Sequence, residues 1–250
     1  MTKNGSKFTL LTLALGLFMV GAVMAQVAGE EAAPTEADNE SMFSLLRKGG
    51  PVMVPLGIGS IIALALAVER LMSLRQSKIV PPGFILGLRE QMTLDPGKGV
   101  ERGTQYCERH DGPVGHIFKA GILKLPRGEE AVEKAVEDAG GREVDKMKRS
   151  LRGLAVIASV SPLLGLLGTV YGMISAFQTA TSVGMGKADV LAKGIYEALV
   201  TTATGLTIAI PTLIVYQYLN SRVDALVDEI DEMSIDFMAS CVQGGGGPEA

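Results

Sequence analysis

The charges divide the chain. Four stretches, 8–29, 49–68, 153–186 and 198–221, contain no Asp, Glu, Lys or Arg. A helix needs roughly 20 apolar residues to cross about 30 Å of hydrocarbon, and each stretch reaches that length. The pattern predicts an all-α, polytopic membrane protein. It places membrane helices over 50–70, 153–178 and 194–220, with a connector over 179–193. Residues 71–152 form a separate helical domain. Within it, Pro81-Pro82-Gly83, Asp95-Pro96-Gly97 and Gly112-Pro113 limit residues 79–128 to short helices. Residues 129–152 are richer in helix formers and extend the second span. Beyond the third span, Val223, Leu226, Val227, Ile230, Met233 and Phe237 recur at helical spacing. Residues 221–250 therefore read as a helical extension followed by a Gly-rich end.

The first apolar stretch has a different character. Lys3 and Lys7 precede it, and it ends in small residues with Val23 and Ala25 at the −3 and −1 positions of a cleavage site before Gln26. Residues 1–25 read as a signal peptide, the alternative being an uncleaved fourth membrane helix. Residues 26–49 form an acidic tail with five acids from Glu30 to Glu40, too polar to order itself.

Orientation follows from Lys and Arg near the membrane ends. Residues 70–152 carry 16 Lys and Arg against 12 acids, whereas the connector carries only Lys187 and Lys193. The middle domain and the C-terminus are expected to be cytoplasmic, and the acidic tail and connector extracytoplasmic.

Composition narrows the function. The chain is 47% apolar and 20% charged, with mean hydropathy +0.30 and net charge −4. That balance argues against nucleic-acid binding. No hydrolase, zincin or phosphate-loop signature is present, so no catalytic residues are assigned. His110 and His116, near Glu108 and Asp111, occupy a stretch rich in Gly and Pro that offers no rigid frame for metal ligands, and no metal or cofactor is expected. Cys107 and Cys241 read as free thiols on the reducing side.

The polar positions inside the spans carry more information. On the second, Ser161, Gly165, Thr169, Gly172 and Ala176 share a face, and Gly168 with Gly172 forms a GxxxG. Such a face is either a packing seam or a surface past which another helix or water must move. On the third span, Glu197 lies about one turn from the outer end, with Thr201 and Thr204 on its face and Thr202 about 140° round. An acid at this depth suggests function by default, the alternative being an interfacial Glu reaching the headgroups. Pro211 removes one backbone donor and is expected to bend its helix.

The segments "SPLLGLLGTVYGMISAFQ" and "GIYEALVTTATGLTIAIPTLIVYQY" resemble the paired signature of the MotA/TolQ/ExbB proton-channel family, most closely its ExbB branch. The resemblance implies a bacterial inner-membrane complex in which a homopentameric ring surrounds the single membrane helices of an ExbD-like partner and energises a TonB-like protein. By position, Thr169 and Thr202 would line the proton path with Thr201 nearby, and Glu197 would be the family's acid on helix three. Gly165, Gly168, Gly172 and Pro211 would serve helix packing. TolQ-like envelope maintenance and a MotA-like stator are the alternatives within the family. Outside it stand a non-conducting scaffold and a secondary transporter, which would show internal repeats; none is visible.

Overall fold

The computed structural model describes residues 51–94, 97–183 and 188–239. The expected signal peptide, the acidic tail and the Gly-rich end lie outside these residues. The described residues form helices α1 (Met53–Ser73), α2 (Gln76–Ile79), α3 (Phe84–Thr93), α4 (Gly99–Arg109), α5 (Pro113–Ile122), a 3-10 turn at Leu125–Arg127, α6 (Glu129–Val183) and α7 (Ala188–Phe237). No strand occurs among them. Three helices, α1, α6 and α7, are long and apolar enough to cross a membrane.

The two long helices exceed any bilayer. With 55 residues, α6 measures about 80 Å at 1.5 Å per residue, and the charged residues 129–152 account for its extra length. Neither Pro162 in α6 nor Pro211 in α7 ends its helix. The connector is shorter than 179–193, because α6 continues to Val183 and α7 begins at Ala188. Polarity rose at the span's end without ending the helix. There Thr179, Thr181 and Ser182 donate to the carbonyls of Ser175, Gln178 and Thr179 at 2.9 Å.

Contacts divide the chain into two units. The first contains described residues 51–65, 154–183 and 188–215. Its apolar cluster is Val52, Met53 and Leu56 of the α1 end, packed against Leu164 of α6 and Val200 and Ile208 of α7.

The second contains 66–94, 97–153 and 216–239. Here α4 packs on α3 and on α5, around Phe84, Leu88, Ile117, Phe118, Ile122, Val132 and Phe237, all 1% exposed or less. Phe118 lies 5.8 Å from Phe84 and 5.1 Å from Phe237, ring centre to ring centre. Gly121 permits this closure, since a Cβ there would stand 2.7 Å from Val136 Cγ2 and 3.3 Å from the Phe237 ring. Lys148 pairs with Asp224 at 3.0 Å, joining the polar parts of α6 and α7.

Both histidines prove to be structural members of this second unit. His116 lies within α5, and its ring nitrogens meet Asp111 Oδ1 and Glu143 Oε1, each at 3.1 Å. His110 caps α4, lies against Tyr106, meets Phe84 edge to face, and donates from Nδ1 to the Tyr106 carbonyl at 3.0 Å. No group of metal-holding side chains occurs among the described residues.

Candidate functional site

The polar positions of the first unit lie where α6 and α7 meet. Their contact is made through small side chains on both helices. Ser161, Gly165, Gly168 and Ala176 of α6 are buried, as are Gly194, Ala198, Thr201, Gly205 and Ala209 of α7. A Cβ at Gly205 would lie 2.6 Å from the Ser161 carbonyl and 3.0 Å from Gly165 Cα. One at Gly165 would lie 3.1 Å from both the Thr201 carbonyl and Thr202 Cα, and one at Gly172 3.0 Å from Ala198 Cβ. Gly168 leaves its space to the Thr201 side chain, and Gly194 leaves its space to Ala176. Lipid offers helices no hydrophobic reward for meeting, so close backbone approach and dispersion must supply the attraction.

The seam separates residues that the helical wheel grouped together. Thr169 shares the wheel face of Gly165 and Gly172 but is only half-buried, and its hydroxyl donates to its own helix at Leu166 O, 2.6 Å away. It lines an open groove of about 520 Å³ with Val170, Met173, Ile174, Phe177 and Gln178. Thr201 is 1% exposed and donates to the Ala198 carbonyl at 2.7 Å. Thr202 is half-buried and donates across the seam to the Gly165 carbonyl at 3.1 Å. The two threonines therefore border the seam, and Thr169 borders the groove.

Four other hydroxyls in the spans are satisfied locally, as a medium without water favours. Ser159, Ser161, Thr204 and Thr212 each donate to the carbonyl four residues back, at 2.7–2.8 Å. Glu197 differs. It is half-buried, one residue before Ala198 of the seam, and makes no ion pair or hydrogen bond among the described residues. Pro211 is half-buried one residue before the buried Thr212.

The facing stripe on α7 escapes a reading that starts from Glu197. Its signal is the spacing Gly194, Ala198, Thr201, Gly205, one small residue per turn, which matches the stripe on α6.

Many large side chains of this unit face outward. Leu163, Leu166, Val170, Ile174, Leu199, Leu206, Ile210 and Leu213 are all exposed. Only 28% of the apolar windows of α6 and α7, and 11% of that of α1, is covered within the chain. A surface of this kind suits lipid and neighbouring helices.

Comparison with known proteins points the same way. Residues 109–232 match the MotA/TolQ/ExbB proton channel family. The chain is 31% identical over 192 residues to a putative biopolymer transport protein ExbB homolog of Methanothermobacter thermautotrophicus, covering 76% of this chain and 67% of that protein. It is 29% identical over 226 residues to the Tol-Pal system protein TolQ of Pseudomonas aeruginosa, covering 82% and 94%. To the biopolymer transport protein exbB1 of Vibrio cholerae it is 31% identical over 197 residues, covering 77% and 85%. The match spans the seam, the groove and both polar extensions, so this multi-pass membrane chain belongs to the MotA/TolQ/ExbB family.

Proposed function

We propose that the chain is the ExbB-like ring subunit of a proton-driven motor in a bacterial inner membrane. With an ExbD-like single-helix partner it converts the proton gradient into work on a TonB-like protein. One observation carries this reading: the Thr169 hydroxyl sits on the wall of an open, largely apolar groove within a membrane span, with Gln178 as its other polar lining residue. The chain places no carboxylate at mid-depth in its spans; Glu197 stands about a turn from one end. A proton relay therefore needs an acid from a partner helix, and a groove walled by Val170, Met173, Ile174 and Phe177 suits such a helix. Each proton crossing yields about 2.3 kcal/mol per 100 mV. On this reading the Lys- and Arg-rich second unit is cytoplasmic, residues 1–25 are removed, and five copies form the ring.

The test is proton-gradient-dependent uptake by cells whose only ExbB-like protein is this chain. Thr169→Val keeps shape but removes the donor, and it is expected to abolish uptake while leaving expression and oligomer intact. Glu197→Gln reports separately on charge. Native mass spectrometry should show a homopentamer with subunits starting at Gln26. Full uptake by a correctly assembled Thr169→Val protein favours a non-conducting scaffold. TolQ-like envelope maintenance is the second reading, favoured by the 94% of the Pseudomonas TolQ that aligns. Rescue of detergent sensitivity without rescue of uptake would select it.

A further inference from the structure

The second unit holds a polar cavity that the proposed proton path does not use. It encloses about 160 Å³ and is lined by Gln91 of α3 and by Arg102, Gln105, Tyr106 and Arg109 of α4. Arg102 and Arg109 are seven residues apart, two helical turns, with Gln105 and Tyr106 between them, so all four side chains share one side of α4. Among the described residues neither arginine has an ion pair or hydrogen-bond partner, and the two glutamine amides are likewise unengaged.

Three acids of this unit are occupied elsewhere. Glu108 is held by Lys119 at 2.8 Å. Asp111 and Glu143 flank His116, and Glu143 also faces Lys146 at 3.7 Å. Glu90 is the one carboxylate whose charge acts on Tyr106 from α3, and it does not line the cavity. Two guanidinium groups thus line one cavity with no ion-pair partner among the described residues.

The wall is built rather than incidental. The Tyr106 ring is fixed between Phe84 at 5.3 Å and His110 at 4.4 Å. Its hydroxyl lies over Gly87, where a Cβ would collide with it. Burial, then the neighbouring Cys107 and Glu90, raises the Tyr106 pKa, so the phenol keeps its proton and remains a donor.

The geometry points to a binding site for a phosphate-class oxyanion, seated between Arg102 and Arg109 and hydrogen-bonded by Gln91, Gln105 and the Tyr106 hydroxyl. A carboxylate offers about four lone-pair sites on two oxygens in a plane. Two guanidinium forks, two amides and a phenol outnumber those sites and suit a tetrahedral anion approached from several sides. Size limits the ligand further, since pockets for drug-sized molecules run from roughly 300 Å³ upward. The cavity admits one phosphate group, either free or as the head of a larger molecule such as an anionic lipid. This inference is independent of proton conduction.

The test uses the full-length protein in neutral detergent at low salt. Inorganic phosphate is titrated by calorimetry, and phosphatidylglycerol is offered in parallel with retention read by native mass spectrometry. The Arg102→Gln/Arg109→Gln double variant should lower the affinity at least about tenfold, given the strength of hydrogen bonds to charged groups. Lys98→Gln, on the chain just before α4 and outside the cavity, should leave it unchanged. Both arginines are at least partly exposed, so the double variant should keep its helicity and oligomeric state. Saturable phosphate binding lost in the double variant establishes the site with a free anion as its source. Retention of phosphatidylglycerol alone, lost in the double variant, establishes it with a lipid headgroup. Binding of neither probe, or equal binding by wild type and double variant, overturns the proposal.

Discussion

The two units are both helical, yet they are held together in opposite ways. In the second, bulky side chains fill the interior: Phe84, Ile117, Phe118 and Phe237 are 1% exposed or less. In the first, the interior is made by leaving side chains out, and Leu163 and Leu166 stand 63% and 58% exposed. Water drives the former by about 25 cal/mol per Å² of apolar surface removed. Lipid gives no such reward, so the first unit relies on close packing, along the seam and in the Val52, Met53 and Leu56 cluster, and on contacts such as Thr202 to Gly165. The same helices, α6 and α7, follow both rules along their lengths.

A seam made by absent side chains is most vulnerable to added bulk. Gly205→Leu would drive atoms into the Ser161 carbonyl and Gly165 Cα, which stand 2.6 and 3.0 Å from a Cβ at that position. Backbone cannot yield as a flexible side chain does, so α6 and α7 must part. The expected result is loss of the folded protein, seen as aggregation on size exclusion. Gly59→Leu, on α1 where nothing lies within 4 Å of the added Cβ, should express and assemble normally. A normally folded Gly205→Leu protein would remove the basis for a tight seam.

Removing bulk is the corresponding test of the second unit. Phe118→Ala vacates a site with no exposure between two other rings, and such truncations cost about 3–5 kcal/mol. Trypsin should then cut within 79–128 under conditions that leave the wild type intact. Protection equal to wild type would mean that the aromatic cluster does not hold this unit together.

How much of this was readable beforehand differs between the units for the same reason. Spans are a property of composition, so charge-free stretches located α1, α6 and α7. The stripe Gly165, Gly168, Gly172 was also visible, because small residues at regular spacing are rare enough to notice. Which threonine faces what was not readable. A wheel groups Thr169 with Gly165, but the neighbouring helix covers only part of that face and leaves Thr169 on the groove. In the second unit Phe118 meets Phe237 and His116 meets Glu143. Those partners lie far apart in sequence, and no local pattern announces them. At the connector the helices continue past the ends of the expected spans, α6 beyond 178 to Val183 and α7 from Ala188 rather than 194. Thr and Ser that bond back to the helix carbonyls are compatible with continuing it.

Cys107 sharpens the description of the second unit's interior. It is 2% exposed, and burial, only partly offset by Lys119, pushes its thiol up to about 12 from an ordinary value of 9.0. A shift of that size leaves roughly a thousandth of the usual thiolate at pH 8. In a Cys241→Ser background, maleimide labelling of the native protein should be at least about a hundredfold slower than in denaturant. The sign of the linkage follows. Because the folded value exceeds the unfolded one, the contribution is fully present below pH 9 and is lost progressively as pH rises from 9 toward 12. Cys107→Ala should flatten that loss. Rapid native labelling would show that the second unit opens readily.

The smallest expected effect reverses the sign of the first. Gly141 lies inside α6, exposed, in the charged part that belongs to the second unit, and nothing stands within 4 Å of a Cβ built on it. Glycine there serves no close approach and takes no left-handed conformation. It only leaves more backbone entropy to be lost on folding, which weakens a helix by roughly 0.5–1 kcal/mol relative to Ala. Gly141→Ala should therefore stabilise the second unit by about that amount, raising the denaturant concentration at which residues 79–128 become accessible to trypsin. Gly205→Ala, chemically the same change, should destabilise, because its Cβ meets backbone rather than open space. If both substitutions shift stability in the same direction, the contrast between a seam made by absent side chains and a helix merely interrupted by glycine does not hold.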